Sequence, residues 1–122
     1  MSLAVKELAL KAIRLLQEKK AQDILLLEIN KVSLIADYFL ICSGTSQIHT
    51  KALCDHLLEN IPGKERDLWH LEGYREGRWI LLDFGGLVVH IFLLEERLFY
   101  NLERLWGEAE IVDLKSLPAS LS

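Results

Sequence analysis

Asp83 and His90 stand on either side of a Gly-Gly pair in "LLDFGGLVVHIFLL", residues 81–94. An acid and an imidazole so placed suit proton transfer, a metal site, or the polar part of a binding surface. Triad hydrolysis also needs a nucleophile, and no Gly-x-Ser-x-Gly elbow occurs in the chain. The turn "SGTS", Ser43–Ser46, ends a strand and opens a helix, where backbone amides can cradle a phosphate. Nucleotidyl transfer would further require carboxylates converging on magnesium from adjacent strands. Asp67 and Glu72 are expected on opposite faces of one strand, and Asp83 has no acidic neighbour two residues away. A nucleotidyltransferase-type enzyme using SGTS and Asp83 is therefore the alternative reading, and no catalytic residue is assigned.

Metal chemistry finds less support. His49 and His56 lie too far apart along one helix to share an ion, and His70 and His90 belong to different strands. Neither Cys-x-x-Cys nor His-x-x-x-His spacing is present, so no metal and no cofactor is expected. Cys42 and Cys54 read as reduced core thiols.

The elements that position these residues follow from periodicity. Val5, Leu8, Ala9, Ala12, Ile13 and Leu16 make one face of an amphipathic helix. Ile24–Ile29 reads as a short strand, Ser33–Asp37 as a turn, and Tyr38–Ser43 as a strand covered on both faces. Gly44 breaks that strand, and Thr45 or Ser46 can cap a helix with Ile48, Ala52, Leu53, Leu57 and Ile61 inward. Pro62-Gly63 ends it. "RDLWHLEG" predicts a third strand, and Arg78–Phe84 and Leu87–Leu94 a hairpin whose two turn glycines both take positive φ. Glu95–Trp106 reads as a last helix, and "IVDLKSLPASLS" beyond it as a fraying tail. The expected architecture is a single α/β domain with a mixed sheet covered by helices, spanning 1–114, followed by a flexible tail at 115–122.

A two-residue turn sets Leu81 opposite His90 and Trp79 opposite Phe92. One hairpin face then carries only apolar residues, from Ile80 and Leu82 to Ile91 and Leu93, and suits the helices. The other carries Trp79, Leu81, Asp83, Val88, His90, Phe92 and Leu94. Burying an acid inside a monomer is unfavourable unless it is paired. The preferred reading is thus an exposed aromatic patch that binds a protein, extended by Tyr100. The alternative is that the last helix covers this face and both polar groups bond to neighbours.

Composition narrows the partner. The 122 residues carry 18 acidic and 14 basic groups, a net charge of −4. With no basic stripe, direct sequence-specific binding of nucleic acid is not expected, and a basic partner suits the balance better. No apolar run is long enough to span a bilayer, and the amino terminus shows neither a secretory nor a transit pattern. A cytoplasmic location follows as the expectation.

Three stretches together resemble the ribosomal silencing factors, also called the Iojap family. "ADYFLICSGTSQIH" is similar to the family's strand, glycine turn and helix start, through Asp37, Tyr38, Gly44, Ser46 and His49. "EGYREGRWILLDFGGLVVHIF" resembles its hairpin, through Glu72, Trp79, Asp83, Gly85, His90 and Phe92, and "RLFYNLERLWG" its last helix. The likeness runs from about Leu8 to Leu114. It implies a nucleotidyltransferase-like fold without the catalytic carboxylates, hence no enzyme. It also implies binding to ribosomal protein uL14 on the large subunit, which blocks subunit joining and represses translation when nutrients are short. The residues assigned to the partner surface are Trp79, Leu81, Asp83, His90, Phe92, Arg97, Tyr100 and Asn101, and a free chain is expected to pair as a homodimer. One departure stands out. The turn is Gly85-Gly86 where the family commonly has Gly-Asp, which alters the charge of the turn and any rim contact there.

Overall fold

The computed structural model describes residues 2–29, 36–61, 70–96 and 110–112. Helix α1 spans Ser2–Glu18 and is followed by strands β1, Gln22–Glu28, and β2, Tyr38–Gly44. Helix α2 spans Gln47–Asn60, and β3 His70–Glu72, β4 Trp79–Asp83, β5 Leu87–Leu93 and β6 Glu110–Val112 complete the sheet. The strand order is β3-β4-β5-β2-β1-β6. Among the described residues only the central β2–β5 pair is parallel, so the sheet is mixed, as expected.

The sequence explains these elements locally. On α1 the predicted stripe of Leu8, Ala9, Ala12, Ile13 and Leu16 is buried. Ser46 caps α2, its hydroxyl accepting from the His49 N–H at 3.0 Å. Ile61 ends the helix in extended geometry, φ −92° and ψ 118°, the conformation a following proline imposes. The inner face of α2 differs in part from expectation. Leu53, Leu57 and Ile61 are buried together with Thr50 and Cys54, but Ile48 is 83 % exposed and Ala52 is also outside. The buried residues repeat every three or four positions, and two residues from Thr50 is nearly half a turn away.

Both helices pack on one face of the sheet. Leu8, Leu16, Leu53 and Leu57 meet Ile80, Leu82, Phe84, Leu87, Val89 and Ile91 in one core cluster. Full burial of each such side chain contributes about 1.5–3 kcal/mol, and this cluster dominates the fold's stability. Strand β2 is buried along its whole length, which its run of apolar residues foretold.

The amino-acid pattern was less informative after β5. Leu94–Glu96 are helical, but the remainder of the expected Glu95–Trp106 helix lies outside the described residues, as do the Ser33–Ile35 part of the predicted turn and residues 66–69 of the third strand. The fraying tail read from Ile111 onward needs correction at its start, while its remainder, with the flexible tail expected at 115–122, lies outside the described residues. Ile111 and Val112 belong to β6, which pairs antiparallel with Leu26–Glu28 of β1. Without it the backbone of β1 would present an open edge.

Candidate functional site

The hairpin register is the one the two-residue turn predicts: Trp79 faces Phe92, Leu81 faces His90, and Asp83 faces Val88. The turn itself differs in one dihedral. Gly85 has φ 91°, whereas Gly86 is not in the positive region, so a single left-handed residue reverses the chain. The backbone of Gly86 is engaged instead, its carbonyl accepting from the N–H groups of Asp37 and Tyr38 at 2.8 and 3.0 Å. That contact ties the hairpin tip to the start of β2.

Three bonds from α2 fix the approach to Trp79. Thr50 donates its hydroxyl to the Gly77 carbonyl at 2.7 Å, and Gln47 donates its amide to the Glu76 carbonyl at 2.8 Å. The Tyr74 hydroxyl donates to Asp55 at 2.8 Å. The loop before β4 is therefore pinned to a rigid helix, and Trp79 begins its strand from a defined position.

The second sheet face is not the open patch expected from its polar residues. Leu27, Ile29, Ala36, Phe39, Ile41, Val88 and Phe92 form a second buried cluster, with Leu25, Trp79 and Leu81 partly buried against it. Phe92 is fully buried and His90 is 4 % exposed, which corrects the assignment of both to an exposed surface. Four strands contribute apolar side chains to this face, and Phe92 packs among them instead of standing at an open hairpin surface. What stays accessible is its margin. Trp79, Leu81 and Asp83 are half-buried, and the pairing of His70 with Asp83 and Glu72 with Leu81 puts two exposed residues of β3 beside them. The His70 imidazole and the Glu72 carboxylate are hydrogen-bonded to each other there. The sequence reading assigns neither to the partner surface, although the alternation of a β3–β4 pair would place them beside it. Arg97, Tyr100 and Asn101 lie outside the described residues.

Asp83 and His90 each bond to a neighbour. The Asp83 carboxylate accepts the Gly85 N–H at 2.8 Å, bracing the turn. His90 accepts the Trp79 indole N–H on Nδ1 at 3.0 Å. Burial lowers the imidazole to about 4, so the ring is neutral at physiological pH. They serve different partners, and the register sets them on the same face without joining them.

The SGTS turn is similarly occupied. Thr45 donates its N–H to His49 Nδ1 at 2.9 Å, while His49 Nε2 lies 2.8 Å from the Lys19 carbonyl. With Nδ1 accepting, Nε2 carries the proton and bonds the turn that follows α1. Two of the amides that a phosphate would need, those of Thr45 and His49, are thus taken by side chains. Among the described residues no group of three or more His, Cys, Asp or Glu is arranged to hold a metal ion.

This arrangement of a mixed sheet, two helices on one face and an apolar margin on the other has known relatives. Residues 2–121 match the family model described as "Ribosomal silencing factor during starvation". The chain belongs to the ribosomal silencing factor family. Among its relatives, the ribosomal silencing factor RsfS of Halalkalibacterium halodurans is 40 % identical over 111 residues, 91 % of this chain and 95 % of that protein. The RsfS of Bacillus subtilis is 43 % identical over 97 residues, 80 % of this chain and 82 % of that protein. A crystal structure from Chromobacterium violaceum superposes with a TM-score of 0.80 at 31 % identity, covering 84 % of this chain and 85 % of that one. The family match extends beyond the Leu8–Leu114 stretch in which the resemblance was legible, and the mixed α/β fold is that of the solved relative.

Proposed function

We propose that this chain is a translation repressor that binds the large ribosomal subunit through ribosomal protein uL14. Docked there, it blocks joining of the small subunit and restrains translation under nutrient limitation. It acts in the cytoplasm, needs no cofactor and catalyses no reaction. The observation that carries this reading is the half-buried margin of Trp79, Leu81 and Asp83, in a chain of the silencing factor family. A large aromatic ring seated on buried apolar neighbours, with polar groups beside it, has the anatomy of an interface hot spot. Phe92 and His90 contribute from beneath this margin, and Arg97, Tyr100 and Asn101 complete the partner surface. The bonds already made by Asp83 and the SGTS turn support a binding role over a catalytic one.

The test is sedimentation with purified large subunits. Trp79→Ala is expected to weaken binding by about 2 kcal/mol or more, roughly a thirtyfold loss in affinity. Tyr100→Ala should behave alike. Normal binding by Trp79→Ala would remove the margin from the interface.

A further inference from the structure

His90 sits among aromatic rings on the second sheet face. Phe39 approaches it edge-on at 4.7 Å between centroids, and the Trp79 and Phe92 rings lie 5.9 and 6.3 Å away. Its Nδ1 accepts from Trp79 Nε1 at 3.0 Å. An indole nitrogen only donates, so the accepting Nδ1 is bare and the single proton of the neutral ring resides on Nε2. That Nε2 is buried with no hydrogen-bond partner among the described residues. A buried N–H without an acceptor is unfavourable, and a phenyl ring of similar outline would avoid the penalty altogether. Stability alone would favour Phe at this position.

Trp79 supplies the reason for a polar ring. Its indole stacks on Phe92 at 4.9 Å with 27° between planes. Stacking restrains the plane of an indole but not which way round it lies, because a flip about χ2 keeps much the same plane. The bond to Nδ1 distinguishes the two edges and selects one.

We propose that His90 is a positioning residue: its Nδ1 locks the Trp79 indole in one orientation at the margin of the sheet before any partner arrives. Its consequence for docking rests on the large-subunit reading above. A ring ordered in advance loses less freedom on association than one ordered by contact.

Two substitutions separate this role from simple packing. His90→Phe keeps a ring and removes the acceptor; His90→Asn keeps an acceptor at the same distance from the backbone as Nδ1. In 15N-labelled protein, with the indole signal assigned through Trp79→Phe, wild type should show coupling between Trp79 Nε1 and His90 Nδ1 across the hydrogen bond. His90→Phe should shift the indole signal and speed its exchange with water, without lowering the melting temperature. Its binding to large subunits should fall roughly three- to tenfold, with His90→Asn recovering most of the loss. Absence of the coupling in wild type overturns the proposal, and this readout holds even if His90→Phe fails to fold. An unchanged indole signal in folded His90→Phe overturns it equally. If the indole signal shifts but Trp79→Ala binds at full strength, the docking surface is wrong while His90 still holds the indole as proposed. If Trp79→Ala loses binding and His90→Phe does not, preordering of the ring is refuted.

Discussion

Protonation of His90 has a thermodynamic signature distinct from its geometry. The folded-state value of about 4 lies below the ordinary 6.5. Between these values the unfolded chain takes up a proton that the native chain refuses, so stability falls as pH drops from about 6.5 toward 4 and levels off below. The span corresponds to about 3 kcal/mol. Urea melts of wild type and His90→Phe across this range should differ in slope, the variant losing that share of the acid sensitivity. Parallel slopes would mean that the imidazole titrates freely. Leu82 lies on the same strand as Trp79 but on the opposite face, fully buried in the main cluster. Leu82→Ala should lower stability by about 2–5 kcal/mol, read by thermal or denaturant melts, whereas Trp79→Ala should act chiefly on binding. Equal destabilisation by the two would show that Trp79 is core.

At the scale of elements, the hairpin tip is the most constrained junction. A Cβ on Gly86 would come within 2.6 and 3.0 Å of the Val5 methyl carbons on α1 and 3.1 Å of an Asp37 carboxylate oxygen. Val5 is β-branched on a helix and has little rotamer freedom to yield. Gly86→Asp should therefore destabilise this chain by about 1–3 kcal/mol in a denaturant melt, with the added charge beside Asp37 working in the same direction. A variant as stable as wild type would show that α1 shifts easily. The register of this hairpin was legible because a two-residue turn and strict alternation leave few alternatives. The exposure of its second face was not. Alternation separates residues into two sets but carries no information about what other strands add to each set, and here β1 and β2 contribute Leu27, Phe39 and Ile41. Ile48 was misassigned for a related reason: on α2 several phases of the helical period fit the apolar residues, and contact with the sheet chooses between them. β6 was invisible because three residues show no period, and the pairing that makes them a strand comes from β1, far upstream.

For the whole molecule, the accessible margin and the absence of an assembled catalytic centre among the described residues lead to two solution measurements. Free protein is expected to be a dimer by light scattering, and large subunits should compete the dimer away, because one apolar margin then serves both associations. Persistent monomer at all concentrations would exclude self-pairing and leave ribosome binding intact. Purified protein with magnesium and nucleoside triphosphates should show no turnover above a mock preparation. Activity that vanishes in Asp83→Asn would reverse that reading and restore the enzymatic alternative.

The pairing of β6 with β1 also dictates an order of events during synthesis. β1 leaves the ribosome early, yet its outer hydrogen-bonding groups at Leu26–Glu28 find their partners only after Glu110–Val112 has emerged. The parallel β2–β5 pair imposes the same delay on the centre of the sheet, since Tyr38–Gly44 must wait for Leu87–Leu93. Such long-range closures are slow, and until they occur the growing chain exposes apolar strands with open edges. A nascent chain stalled before residue 87 is therefore expected to stay protease-sensitive and to recruit chaperones. One stalled after residue 112 has cleared the exit tunnel should resist digestion.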